Sequence, residues 1–172
     1  MNNIEVLFKE NEIGKRVEEL ANNLYQIYGD GEVVFICTLK GAAFFACDLL
    51  KKYPGDARME FLKVASYNGT ETTGNIKMNL SVSRENIENK NVVIIEDIVD
   101  TGYTLDFLYK YIGDMMPKSL ITCTLLDKKE KRIVDINPDY AGFIIKDLFV
   151  VGYGLDYDEK YRNLPYIGVL RK

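Results

Sequence analysis

The segment Val92-Val93-Ile94-Ile95-Glu96-Asp97-Ile98-Val99-Asp100-Thr101-Gly102-Tyr103-Thr104-Leu105 passes from an apolar run into two acids, a third acid and a Thr-Gly turn. The β-branched residues Val92 to Ile95 suit a strand buried on both faces, as in a parallel sheet covered by helices. Beyond the turn, Leu105, Leu108, Ile112 and Met115 recur at helical spacing. The chain is therefore expected to turn between Asp97 and Thr104 and to continue as a helix over about 105–116.

A loop joining a buried parallel strand to a helix opens at the carboxyl edge of the sheet, where free amides and the positive end of the helix dipole face outward. Such a turn favours an anion. Thr101 and Thr104 add hydroxyl donors, and Gly102 lets the backbone come close to a phosphate. Glu96, Asp97 and Asp100 would repel a bare phosphate and need other tasks. They can accept hydrogen bonds from sugar hydroxyls, bridge to phosphate oxygens through a divalent metal, or take a proton from a substrate nitrogen. A ribose with a 5-phosphate, a free diol and a magnesium-chelated pyrophosphate at its anomeric carbon meets all of these demands.

In these residues the segment resembles the phosphoribosyl pyrophosphate (PRPP) motif of the type I phosphoribosyltransferases. There, apolar residues precede an acidic pair, two apolar residues, Asp, Thr or Ser, Gly, any residue and Thr, and every position matches. Two other readings of the same letters fail on context. Asp-Thr-Gly of the aspartic proteases lies in an all-β fold, without a helix like that expected after Thr104. Aspartate-nucleophile phosphatases separate two acids by one residue, whereas two residues separate Asp97 from Asp100.

The rest of the sequence sets bounds. A chain of 172 residues is expected to form one domain spanning 1–172, a size that buries roughly 70% of its extended surface. No apolar run approaches the ~20 residues that span a bilayer, and the N-terminal MNNIEVLFKENE has no signal-like core, so a cytoplasmic location away from membranes is expected. The absence of histidine removes Ser-His-Asp and Cys-His catalysis, leaving proton transfer to Asp, Glu, Lys or Tyr. Cys37, Cys47 and Cys123 lack metal-like spacing, fall in apolar segments and are expected to be core thiols. A net charge of -4, with one dense basic run at Lys128 to Arg132, argues against a nucleic-acid surface.

Along the chain, Ile13, Val17, Leu20, Leu24 and Tyr28 mark an amphipathic helix closed by Gly29. A buried strand over 33–38 leads through Leu39-Lys40-Gly41 into a helix carrying Ala42, Phe44, Phe45, Ala46, Leu49 and Leu50. Strands are further expected over about 59–65, over 120–126, near Phe143, over 149–152 and near 166–170. The polar stretch 66–75 reads as a mobile loop. Alternating strands and helices imply an α/β fold with an open, mainly parallel sheet.

Four more segments extend the likeness over nearly the whole chain and narrow it to the hypoxanthine-guanine phosphoribosyltransferases. Leu39-Lys40-Gly41 is similar to the family's pyrophosphate loop, which has a cis peptide. Leu125-Leu126-Asp127-Lys128 resembles the strand end whose lysine donates to the purine 6-oxo group. In Phe149-Val150-Val151-Gly152-Tyr153-Gly154-Leu155-Asp156, the resemblance implies that Phe149 stacks on the base, the Val150 backbone reads its edge and Asp156 holds magnesium. Tyr161-Arg162-Asn163-Leu164-Pro165 resembles the tail whose arginine meets pyrophosphate. Ser66 and Tyr67 fall in the family's lid over the reacting atoms.

The resemblance further implies a small hood of N- and C-terminal segments, magnesium held by Glu96, Asp97 and Asp156, and a homodimer or homotetramer. Its substrates and products would be PRPP, oxopurines, IMP or GMP and pyrophosphate. Asp100 would take a proton at purine N7, Glu96 and Asp97 would hold the ribose hydroxyls, and the turn Asp100, Thr101, Gly102, Tyr103 and Thr104 would hold the 5-phosphate. Ala42 stands where a second glycine is frequent, and Tyr103 is bulkier than usual. A xanthine- or guanine-preferring transferase is the alternative. A nucleotide-sensing, RNA-binding regulator of the same fold would need a basic face.

Overall fold

The computed structural model describes residues 3–66 and 76–171. Of the loop expected over 66–75, Ser66 instead ends a strand, while the lid position Tyr67 and the rest of that stretch lie outside the described residues. No helix among the described residues is long and apolar enough to cross a membrane.

A six-stranded sheet carries the site. Its strands are β2 (Val33–Thr38), β3 (Ala57–Ser66), β4 (Ile76–Leu80), β5 (Asn91–Val99), β6 (Ser119–Asp127) and β7 (Tyr140–Ile144), ordered β4-β3-β2-β5-β6-β7. All neighbours pair in parallel except β4, which lies antiparallel on the β3 edge. β5 is central, flanked in register by Val33↔Asn91 on one side and Asn91↔Ser119 on the other.

Alternation along the central strands divides the core. Val33, Phe35 and Cys37 with Val93 and Ile95 face α1 (Glu10–Tyr28) and α2 (Ala43–Lys52), meeting Val17, Leu20, Leu24, Phe45 and Leu49. Val34 and Ile36 with Val92 and Ile94 face α3 (Tyr103–Gly113) through Leu108 and Ile112. With helices on both faces, these strands must be apolar on both, which is why their sequences read as continuous runs. Burying each such side chain contributes ~1.5–3 kcal/mol.

A second, three-stranded antiparallel sheet joins the N- and C-terminal segments in the order β1-β9-β8: β1 (Asn3–Phe8), β9 (Ile167–Arg171) and β8 (Val150–Val151). This is the expected hood.

Several expectations need correction. β5 does not stop before the acids: it runs through Glu96 and Asp97 to Val99, so the turn begins at Asp100 rather than Asp97. Parallel pairing with β6 continues to Val99↔Asp127, and that ladder holds the acids in strand conformation. The helix after the turn ends at Gly113, and Met116 is exposed at a φ of 62°. Cys37 and Cys123 are buried, but Cys47 is exposed. On α2 it points away from the face of Phe45, Ala46 and Leu49. The strand expected over 149–152 is only Val150–Val151, and it belongs to the hood. β1 and β4 were not anticipated.

Candidate functional site

The carboxyl ends of β2, β5 and β6 bring the candidate residues to one edge. At the end of β5, Glu96 lies on the α3 face and is 6% exposed, with Thr38 beneath it donating to Ile95 O at 2.5 Å. Its Oε1 has no partner among the described residues. Burial, then the neighbouring Asp97 carboxylate, raises its pKa well above the usual carboxylate range. Asp97 points to the opposite face and is pushed up to about 6, chiefly by burial, while backbone amides and Arg162 oppose the shift. A Cβ on Gly41 would collide with Asp97 Oδ2, so glycine is required where the Lys40-Gly41 loop crosses that carboxylate. The Leu39-Lys40 peptide is cis.

Beyond Val99 the turn encloses a cleft of about 80 Å³ lined by Glu96, Asp100, Thr101, Gly102, Thr104 and Leu105. Gly102 adopts a φ of 93°, and a Cβ there would lie 2.8 Å from Arg132 Cδ. Side chains are therefore doubly excluded from this position, by backbone conformation and by space. Tyr103 opens α3, so the unbonded amides of its first turn face the cleft mouth. Among the described residues Asp100 Oδ1 is buried without a partner, while Oδ2 lies 3.5 Å from Lys131 Nζ.

On the adjoining strand end, Lys128 is 6% exposed, with its Nζ 3.4 Å from Asp147. Phe149 is 49% exposed and meets Tyr157 edge to face at 5.6 Å. Val150 follows in β8.

On the other side, Arg162 Nη1 donates to Gly154 O at 2.7 Å and Nη2 lies 2.9 Å from Asp156 Oδ1. Asp156 Oδ2 accepts the Glu159 N–H at 2.9 Å. Lys40 Nζ pairs with Glu159 at 2.9 Å and, with Arg162 behind it, holds the Glu159 carboxyl below its usual range. Lys40, Asp156 and Arg162 thus converge through Glu159. Among the described residues no group of three acids or other ligating side chains encloses a metal site, so Glu96, Asp97 and Asp156 do not form a protein-only cage. Ser66 ends β3, and nothing further is placed of the lid.

Sequence reasoning missed Arg132 and Asp127. They form a buried ion pair directly under the turn, with Asp127 1% exposed. The signal was available as a buried acid in an apolar strand, which demands a cation nearby.

The phosphoribosyl transferase domain family matches residues 3–158. The chain is 45% identical over 167 residues to the hypoxanthine-guanine phosphoribosyltransferase of Bacillus subtilis, covering 96% of this chain and 92% of that one. It is 41% identical over 168 residues to the hypoxanthine-guanine-xanthine phosphoribosyltransferase of Tritrichomonas foetus, covering 97% and 91%. Its fold superposes on a crystal structure of a Bacillus anthracis hypoxanthine-guanine phosphoribosyltransferase with a TM-score of 0.94 at 42% identity, covering 99% of this chain and 100% of the other. With the acid-bearing strand, the glycine turn and the hood all in place, the chain belongs to the phosphoribosyltransferase family, among its hypoxanthine-guanine members.

Proposed function

We propose that the chain transfers the 5-phosphoribosyl group of PRPP to N9 of hypoxanthine or guanine, giving IMP or GMP and releasing pyrophosphate. The observation that carries this reading is the turn after β5. An Asp100 oxygen, buried and unpartnered among the described residues, and a cleft with a helix start at its mouth lie one residue past Val99, to whose carbonyl the buried Lys128 is tied through its backbone N–H. The cleft suits a 5-phosphate and the carboxylate suits a purine N–H.

The residues then divide the work. The turn from Asp100 to Thr104 holds the 5-phosphate and so fixes the anomeric carbon. Lys128 donates to the 6-oxo group, Phe149 covers one face of the base, and the Val150 backbone meets its edge. As the bond from the anomeric carbon to pyrophosphate breaks and the bond to N9 forms, Asp100 accepts the N7 proton. Lys40, Gly41 and Arg162 face the departing pyrophosphate, Glu159 yielding its cations to it. Glu96 and Asp97 accept from the ribose hydroxyls.

The two carboxylates at the end of β5 and Asp156 fit a magnesium ion. Glu96 Oε1 is buried without a partner among the described residues, and the pair has a raised affinity for protons that a cation would replace. Magnesium usually binds through one or two carboxylates plus substrate phosphates, so the lack of a protein-only cage agrees with this fit. Bound there, it supplies charge neutralisation for pyrophosphate.

The test is a spectrophotometric assay with PRPP, magnesium and each of hypoxanthine, guanine and xanthine. Turnover of the first two supports the proposal. Exclusive use of xanthine and guanine moves it to the alternative specificity, and no turnover with any base refutes it. A homodimer or homotetramer is part of the same proposal, read by sedimentation.

A further inference from the structure

Three consecutive carbonyls leave the phosphate-binding turn on the side away from the cleft, and all three end in one short segment. Val99 O accepts the Lys128 N–H at 2.9 Å and Arg132 Nη2 at 3.5 Å. Asp100 O accepts Arg132 Nε at 3.0 Å. Thr101 O accepts the N–H groups of Ile133 and Val134 at 2.9 and 3.1 Å. The same guanidinium donates through Nη1 to Ile136 O and through Nη2 to the buried carboxylate of Asp127. Its side chain is 10% exposed, and its stem lies under Gly102.

A trans peptide plane points its N–H opposite to its C=O. Drawing the carbonyls of Val99, Asp100 and Thr101 toward Arg132 and its neighbours therefore turns the N–H groups of Asp100, Thr101 and Gly102 the other way, into the cleft. Among the described residues, neither Thr101 N–H nor Gly102 N–H finds a backbone acceptor. Glycine at position 102 lets the arginine stem come up against the turn from behind.

We infer that Arg132 is a positioning residue for the phosphate-binding turn. It aims the amides of residues 100–102 at the 5-phosphate and ties that turn to the strand end carrying Lys128. The inference rests on the transferase reading above. A planar fork with donors on several edges reaches acceptors on Val99, Asp100, Ile136 and Asp127 together, which a lysine ammonium at the end of one stem cannot do.

The experiment compares calorimetric Kd values for IMP, which carries a 5-phosphate, and for magnesium pyrophosphate, which does not. Wild type, R132K and R132M are used, with thermal melting to establish folding. The IMP Kd is expected to rise about tenfold in R132K and about a hundredfold in R132M, with pyrophosphate held within about twofold. R132K keeps a cation beside Asp127 and decides the matter if R132M does not fold. Equal losses for both ligands, an unchanged IMP Kd in R132K, or failure of R132K itself to fold overturns the inference. Wild-type turnover separates the two claims: an inactive wild type removes the transferase reading, whereas an active one with equal losses removes only the role of Arg132.

Discussion

At the scale of single residues, Asp100 carries the proposed proton transfer, and its environment suits the task. One oxygen is buried without a partner among the described residues and the other is 3.5 Å from Lys131. That leaves an acceptor without a partner among the described residues on a side chain that lines the cleft. Asp100→Asn preserves the shape and removes the base, so kcat should fall ~100- to 10,000-fold, or roughly 3–5 kcal/mol of barrier. Full turnover by this variant in a steady-state assay would assign the proton to another group. Burial pushes the thiols of Cys37 and Cys123 up to about 12, so both stay protonated at pH 8, while Cys47 stands exposed on α2. Iodoacetamide at pH 8 is expected to modify Cys47 alone in the native chain, read by peptide mass; labelling of Cys37 or Cys123 would show that the sheet opens.

Elements explain why the acids sit where they do. Strand pairing carries β5 four residues past Ile95, so alternation sends Glu96 to the α3 face and Asp97 toward the Lys40-Gly41 loop. Gly41→Ala puts a methyl group into the Asp97 carboxylate and must displace the loop or the acid. The expected result is a KM for PRPP or pyrophosphate raised about tenfold or more with a small change in melting temperature. An unchanged KM would show that this close approach does not matter to the ligand. Much at this scale was legible in the sequence. The strand over 33–38 and the helix closed by Gly29 need only an apolar run or a 3.6-residue period, because burial decides both. β1 and β4 were missed because each is a short edge strand: β1 is stabilised by β9 at the far end of the chain, and β4, although Ile76, Met78 and Leu80 alternate with Lys77 and Asn79, has only five residues on the β3 edge. The end of β5 was misplaced for a related reason: acids look like a turn until the neighbouring strand is known to hold them.

Over the whole molecule, the site imposes a cost that the rest of the fold must offset. Glu96 and Asp97 both hold protons more firmly in the folded chain than in the unfolded one, through burial and, for Glu96, through Asp97. Their contribution to stability is therefore fully present below about pH 4 and is lost as pH rises through the folded value of about 6 for Asp97. Without ligand or divalent metal, Asp97→Asn should melt above wild type at pH 8 by several degrees, and the gap should shrink toward pH 5. A gap independent of pH, measured by differential scanning calorimetry, would mean that the pair is not strained by burial. The motif residues of this site were readable because their chemistry follows from type and spacing along one turn. For Arg132 and Asp127 the sequence offered only an acid at the end of an apolar strand; which cation answers it, and that the pair lies under the turn, becomes visible only when Val99 and Asp127 are seen side by side.

The central claim is that the bend after the middle strand seats an activated ribose phosphate. Calorimetric titration of the purified chain with PRPP and magnesium, in the absence of any purine, tests it directly. The account predicts saturable heat at one site per chain, abolished or strongly reduced in Gly102→Ala; the absence of any binding heat to the wild type would contradict it.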